Sequence, residues 1–203
     1  VNHLTRSYQE KEERVAEALV DAGLSNPREL FMRYPHELSG GQRQRLAIAG
    51  ALVLKPDFIV ADEPVSMLDL SIRAGILKLM VDLRDEKGIS YLFITHDLSL
   101  AWLISDRIAI MYLGKIVELG SANQVIKNPL HPYTKALVSV IPMPKRISLA
   151  DKQLLKGETP DPVNIPRGCR FHPRCPAVQP RCREEAPLYR EVASRHFGAC
   201  HYI

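Results

Sequence analysis

The sequence predicts an α/β fold with a mostly parallel sheet and amphipathic helices. Two short apolar runs carry this prediction, Phe58–Ala61 and Tyr91–Ile94. Continuous apolar runs of this length, bounded by prolines or polar residues, are typical of buried parallel strands. The segment between them repeats apolar residues at helical spacing, which predicts an amphipathic helix. Its apolar stripe consists of Ile72, Ile76, Leu79, Met80 and Leu83.

Further elements follow from local signals. Residues 8–23 place apolar side chains on one face and charged ones elsewhere, which predicts a helix that ends at Gly23. A second short helix is expected to begin at Asn26-Pro27. The runs 108–113 and 115–119, separated by Gly114, predict a hairpin at the edge of the sheet, and residues 121–127 predict a helix.

Composition limits the class of protein. A chain of 203 residues allows one α/β unit with an appendage, and 46% hydrophobic and 25% charged residues are ordinary for a globular protein. The net charge of +4 is compatible with binding to anionic phosphates or with a location near a membrane surface, and it does not require a nucleic-acid partner. No apolar run approaches the roughly 18 residues that span a bilayer, and no signal peptide is recognisable. We therefore expect a cytoplasmic location, with membrane association only through a partner.

The segment Leu38–Gln42 reads Leu-Ser-Gly-Gly-Gln and precedes a predicted helix. Ser39 can cap that helix, and the glycines that follow would let a phosphate approach the free backbone N–H groups of the first turn. The alternative is an ordinary turn before a surface helix. The apolar stripe predicted for the helix consists of Leu46, Ala49, Gly50 and Val53.

Polar residues with catalytic potential follow both predicted strands. Asp62 and Glu63 come directly after the first strand, and His96 follows the second. Open α/β sheets bind ligands at the carboxyl ends of their strands. Together with a phosphate-binding helix start, this arrangement indicates nucleotide hydrolysis. The structural alternatives are capping or surface acids and a hydrogen-bonded histidine at a strand end.

The order of these motifs resembles an ATP-binding cassette (ABC) ATPase, a P-loop NTPase-type fold. Leu38–Gln42 is similar to its signature motif, Asp62-Glu63 to its Walker B end, Ser66–Asp69 to its D-loop and His96 to its switch histidine. Met67 stands where alanine is commoner in that D-loop. The flanking segments, Tyr34–Glu37 and Gln42–Arg45, resemble the peptide and nickel importer branch.

The resemblance assigns a role to each motif. Asp62 would organise Mg²⁺, Glu63 would act as general base for the attacking water, His96 would bond the γ-phosphate, and Asp69 would lie at a dimer seam. In this family two subunits dimerise head to tail around ATP, so the signature motif contacts the nucleotide of the partner subunit. The residues assigned to that contact are Ser39, Gly40, Gly41 and Gln42.

The implied partners are a second ABC ATPase subunit, identical or related, and integral membrane permease subunits. An external substrate-binding protein would act indirectly, and nucleic acid is not expected. The chain would then work at the cytoplasmic face of the cell membrane and couple ATP hydrolysis to peptide import. Nickel or oligosaccharide import, or a soluble ABC ATPase outside transport, are the alternatives.

The motif G-x-x-x-x-G-K-[ST] does not occur in these 203 residues. In an ABC ATPase that phosphate loop, Walker A, lies upstream of position 1 of this sequence. We interpret the chain as N-terminally truncated, and we expect the chain alone to show negligible ATPase activity.

Composition changes after residue 128, where eleven of the fifteen prolines lie. We therefore predict an ABC ATPase domain at 1–127, an importer-specific helix and Pro-rich linker at 128–168, and a small irregular Cys-rich extension at 169–203. Residues 128–137 resemble the extension motif of oligopeptide and dipeptide importers. Their own pattern predicts a Pro-initiated amphipathic helix.

All four cysteines lie in the last segment: Cys169, Cys175, Cys182 and Cys200. A cytoplasmic location disfavours disulfides, so their clustering suggests metal. No pair has the C-x₂₋₄-C spacing usual for zinc, whereas an iron–sulfur cluster needs four cysteines in a larger cage. The resemblance implies a [4Fe–4S] cluster; zinc and unliganded thiols stay open. His172, His196 and His201 could join a mixed zinc site, although we expect them to be exposed loop residues.

Overall fold

The computed structural model describes residues 7–141, 155 and 157–203. The chain divides between His96 and Asp97 into two compact units. Within the described residues, every helix is too short or too polar to cross a bilayer.

The first unit alternates helices with two parallel strands, as the sequence predicts. The strands pair in register from Phe58 opposite Ser90 to Asp62 opposite Ile94. A short 3₁₀ turn at Pro35–Glu37 leads into the signature segment. The elements are α1 (Tyr8–Asp21), α2 (Pro27–Leu30), α3 (Gly40–Leu52), β1 (Phe58–Asp62), α4 (Leu70–Lys87) and β2 (Ser90–Ile94).

Local caps explain where these helices begin and end. The Asp69 side chain accepts a hydrogen bond from the Ile72 N–H at the start of α4, and Gly88 ends that helix with φ at +69°. Helix α1 ends at Asp21, and Gly23 follows with φ at +72°. Asn26 precedes α2 but makes no side-chain capping bond, so Pro27 at the first helical position is the remaining start signal of that helix.

Two predictions about burial in this unit are wrong. Leu46 and Gly50 are exposed, because the face of α3 that packs inward is instead formed by Gly41, Ala49 and Leu52. Strand β1 is covered on one face only, and Phe58 and Val60 are 55% and 56% exposed. Ile59 and Tyr91 pack against the helices, whereas the other face of this two-stranded sheet is uncovered within the described residues.

The second unit contains the strands β3 (Arg107–Tyr112), β4 (Lys115–Ser121), β5 (Arg190–Ala193) and β6 (His196–Gly198). They form a four-stranded antiparallel sheet in the order β3-β4-β6-β5. The predicted hairpin forms from β3 and β4, with a turn at Leu113-Gly114. It does not extend the parallel sheet as we expected; it pairs instead with the C-terminal strand β6. The helices of this unit are α5 (Leu98–Ile104), α6 (Ala122–Lys127), α7 (Pro132–Ser139) and α8 (Pro180–Glu184).

The C-terminal segment is therefore partly regular and shares a sheet with β3 and β4. The predicted helices at 121–127 and after Pro132 are confirmed as α6 and α7. Most of the predicted linker, residues 142–154 and 156, lies outside the described residues. Phe171 is 1% exposed and packs into the same core as β3, β4 and α6, which fixes the cysteine-containing segment against the sheet.

Candidate functional site

Glu63 and His96 meet at the carboxyl edge of the parallel strands. The Glu63 Oε1 atom lies 2.8 Å from His96 Nδ1, and the Glu63 N–H donates to the Ile94 carbonyl at 2.9 Å. Both side chains are accessible, with 44% of the Glu63 side chain and 75% of the His96 side chain exposed. Asp62, also exposed, ends β1 at the same edge. The structure thus brings together two of the predicted site residues with a second carboxylate beside them.

The backbone of Glu63 is strained. Its φ of +45° lies in the left-handed region that a side chain with a Cβ rarely adopts. Its carbonyl accepts hydrogen bonds from the Ser66 N–H at 3.3 Å and the Ser66 hydroxyl at 3.1 Å, which hold the turn. Strain of this kind clusters at functional sites. It supports a functional role for Glu63 beyond capping.

The hydrogen bond from His96 lowers the pKa of Glu63 below its usual value. The carboxylate is therefore ionised at neutral pH and acts as an acceptor only. An accessible, ionised carboxylate oriented by an imidazole is suited to accept a proton from a water molecule.

The signature segment begins α3 with a reciprocal capping box. The Ser39 hydroxyl accepts from the Gln42 N–H at 3.2 Å, and the Gln42 Oε1 accepts from the Ser39 N–H at 3.0 Å. The predicted Ser39 cap is confirmed, and the Gln42 side chain is engaged by the Ser39 N–H, a local contact that was not predicted.

The two glycines of this segment differ in their surroundings. A Cβ on Gly41 would lie 2.9 Å from Ile72 Cγ2, so Gly41 allows α3 and α4 to pack closely. A Cβ on Gly40 would lie 3.7 Å from Leu68 Cδ2, an ordinary contact, and Gly40 is only half-buried. Of the two, Gly40 is the one whose backbone is open to a ligand.

The four cysteines are free thiols, with Cys182 buried and the others half-buried. The Cys169 N–H donates to the Cys182 carbonyl at 2.8 Å, which joins two parts of the segment. Burial raises the pKa of Cys169 and of Cys175, and the charges of neighbouring cysteine thiols raise both further. Within the described residues, however, no three His, Cys, Asp or Glu side chains lie close enough together to hold a metal ion.

The expectation that His172, His196 and His201 are exposed is wrong, because His172 and His201 are half-buried and His196 is only 3% exposed. Its Nε2 lies 2.8 Å from Oε1 of Glu118, which is itself fully buried. Glu118 is not among the site residues predicted from the sequence. Its signal was a single charge inside the apolar run Ile116–Leu119, because a charged residue in a buried strand needs partners.

Comparison with known proteins identifies the family. A family model described as "ABC transporter" matches residues 1–66, and one described as "Oligopeptide/dipeptide transporter, C-terminal region" matches residues 117–182. The oligopeptide transport ATP-binding protein AppF of Bacillus subtilis is 49% identical over 201 residues, which cover 98% of this chain and 60% of AppF. The chain belongs to the ABC transporter ATP-binding family.

Solved ABC family structures agree in fold. The cbiO1 protein of Clostridium perfringens, part of the ABC transporter complex cbiONQ, has a TM-score of 0.55 at 32% identity over 62% of this chain and 49% of its own. The ATP-binding cassette MJ0796, in a dimeric post-hydrolysis state bound to ADP and phosphate, has a TM-score of 0.51 at 32% identity, covering 59% of this chain and 50% of its own. The chain thus spans about half to 60% of the length of these relatives.

Proposed function

We propose that this chain forms part of the ATPase subunit of an ABC importer that takes up peptides. The observation that carries the proposal is the ionised Glu63, oriented by His96 at 2.8 Å on the carboxyl edge of a parallel sheet in an ABC family chain. Glu63 accepts a proton from the water that attacks the γ-phosphate, and His96 bonds that phosphate.

Asp62 and Glu63 also fit a magnesium ion, because both are exposed carboxylates at one strand end and Mg²⁺ prefers oxygen ligands. Asp62 would hold the ion, largely through water. When bound with ATP, Mg²⁺ would neutralise charge on the phosphate oxygens. The protein's own contribution is to position the water at the Glu63 carboxylate and the γ-phosphate beside His96.

The signature segment is proposed to act on the ATP of a partner subunit. The accessible start of α3, with Ser39 exposed and Gly40 half-buried, leaves backbone donors within reach of an anion from outside the chain. Support comes from MJ0796, whose solved structure is a dimer with ADP and phosphate. Asp69, which caps α4, would lie at the seam of this dimer. The partner is a second ABC ATPase subunit, identical or related.

Peptide is the substrate class favoured by the relatives. AppF is named for oligopeptide transport, and residues 117–182 match the C-terminal region of oligopeptide and dipeptide transporters. Import requires permease subunits in the membrane and, indirectly, an external binding protein. The chain would thus work at the cytoplasmic face of the cell membrane, without nucleic acid. None of these matches favours nickel, oligosaccharide or non-transport roles.

The cysteine segment is proposed to hold a [4Fe–4S] cluster. All four cysteines lie in the last 35 residues, where the Cys169 N–H donates to the Cys182 carbonyl at 2.8 Å, and no pair of them has the C-x₂₋₄-C spacing usual for zinc. That combination suits a larger four-cysteine cage better than zinc. Anaerobic reconstitution should give absorbance at about 400 nm and about four iron atoms per chain. Zinc without iron, or neither metal, would refute the cluster.

A chimera tests the ATPase and transport proposal. Because these 203 residues contain no phosphate-loop motif, we expect the chain alone to hydrolyse no ATP. The chimera replaces the matching 60% of AppF with this chain. It should hydrolyse ATP when assembled with the AppF partners and restore oligopeptide uptake to cells that lack AppF. An assembled chimera without hydrolysis would refute the ATPase, and hydrolysis without peptide uptake would refute the substrate class.

A further inference from the structure

Glu118 joins three segments of the second unit through a buried network. Its Oε1 accepts from the Leu130 N–H at 2.9 Å and lies 2.8 Å from His196 Nε2, while Oε2 accepts from the His131 N–H at 2.8 Å. Glu118 is fully buried, and His131 and His196 are 1% and 3% exposed. We call Glu118, Leu130, His131 and His196 the Glu118 network. A carboxylate so deeply buried is tolerated because several donors bond to it.

The network fixes the strand that leads to Cys200. Glu118 lies opposite Gly198 of β6, and the Ala199 N–H donates to the Val117 carbonyl at 2.9 Å. His196 also packs tightly on β4, since a Cβ on Gly120 would lie 2.8 Å from His196 Cδ2. Cys200, two residues beyond β6, is thereby held at a defined place beside β4.

The same network reaches Cys169 and Cys175 through His131, and the Cys169 N–H donates in turn to the Cys182 carbonyl at 2.8 Å. The His131 ring lies 5.5 Å from the ring of Phe171, measured between centroids. Phe171 also contacts Tyr112 at 5.1 Å and Tyr133 at 5.4 Å, and it lies in the sequence between Cys169 and Cys175. The backbone N–H of His131 therefore bonds to the Glu118 carboxylate, while the ring of His131 packs against Phe171 in the cysteine segment.

We propose that Glu118 is a positioning residue for the four-cysteine site, because it ties the strand that leads to Cys200 to the loop that supports Cys169, Cys175 and Cys182. This inference rests on the proposed cluster, although the contacts of Glu118 are formed without metal. It gives a role to residues 128–137, whose sequence pattern indicated only a helix.

Thiol bridging in the reduced, metal-free chain tests this proposal. Dibromobimane links thiols that lie close together, and peptide mapping identifies each pair. We expect bridges between Cys175 and Cys200 and between Cys169 and Cys182. In Glu118→Gln one donor of the network is left without an acceptor in either orientation of the amide. The rate of the Cys175–Cys200 bridge should then fall about tenfold, while the Cys169–Cys182 bridge is retained.

Further variants separate positioning from general destabilisation. Val125→Ala removes apolar volume from a fully buried residue of the same core, and it should affect both bridges equally. His196→Gln keeps an N–H donor and should bridge within about twofold of wild type, whereas His196→Leu should lose the Cys200 bridge. Gly120→Ala, which leaves Glu118 unchanged, should weaken the Cys200 bridge by displacing His196.

The proposal is overturned if folded Glu118→Gln bridges Cys200 at the wild-type rate. The proposal is also overturned if Glu118→Gln loses both bridges equally, as the control variant Val125→Ala is expected to do. Should Glu118→Gln not fold, Gly120→Ala and the His196 pair decide in the same way. Selective loss of the Cys200 bridge in a chain that never takes up iron would refute the cluster and leave the positioning role intact.

Discussion

Each unit of this chain contains a glutamate–histidine pair with the same separation and the opposite environment. Glu63 and His96 lie 2.8 Å apart with 44% and 75% of their side chains exposed. Glu118 and His196 lie 2.8 Å apart with 0% and 3% exposed. An exposed pair contributes little to stability because water competes for both groups, whereas a buried one cannot lose a partner without a large cost. Burial, and not the chemistry of the side chains, separates a site open to ligand from a structural anchor.

The largest effect should come from Glu63→Gln in the assembled AppF chimera. The amide cannot accept the proton of the attacking water, so ATP hydrolysis should fall about 10²- to 10⁴-fold. Glu17→Gln is the matched control, since Glu17 is an exposed glutamate of the same unit in a surface ion pair. Hydrolysis at the wild-type rate in Glu63→Gln would show that Glu63 is not the general base.

Histidine removal tests the comparison directly. His196→Ala leaves the buried Glu118 carboxylate short of a donor beside a cavity, and it should lower the free energy of unfolding of the second unit by about 2 to 3 kcal/mol. His96→Ala should leave the stability of the first unit unchanged. Urea unfolding followed by hydrogen exchange resolves the two units separately. Equal losses in both variants would contradict the distinction drawn from burial.

The two glycines of the signature segment give a smaller contrast. Gly41→Ala forces a Cβ to 2.9 Å from Ile72 Cγ2 and should destabilise the first unit by about 1 to 3 kcal/mol. Gly40→Ala meets no such contact and should retain full stability, yet it should slow ATP hydrolysis by the chimera if phosphate approaches this backbone. Urea unfolding and ATPase rates measure the two effects. A stable Gly41→Ala would show that the helices adjust freely.

Much of the first unit could be predicted from the sequence because its signals are local. Helix caps at Ser39 and Asp69 lie within a few residues of the bonds they make, and Glu63 and His96 follow their strands directly. Parallel strands align their carboxyl ends, so the meeting of these two side chains could be expected. The face of α3 that packs inward could not be predicted, because Arg45 and Gly41 make contacts there without forming an apolar pattern.

The second unit was harder to predict for a physical reason. Strand β6 pairs with β4 across nearly 80 residues, and short strands such as His196–Gly198 carry almost no periodicity. Glu118 is recognisable as a charge in an apolar strand, but its partners at 130, 131 and 196 are scattered along the chain. Long-range polar networks are specified by the tertiary fold, not by local spacing.

The smallest expected effect concerns the titration of Glu63. His96 lowers the pKa of this carboxyl from its usual 4.5, so His96→Ala should raise it toward that value. A depressed pKa in the folded state contributes stability that is present above the unfolded value and is lost as the pH falls through the folded value. The contribution is small here because the pair is exposed to solvent. A carboxyl carbon titration by NMR measures the shift, with His36→Ala as an exposed control. An unchanged Glu63 pKa in His96→Ala would mean that the 2.8 Å contact is not maintained in solution, and the orientation of the base would then need another source.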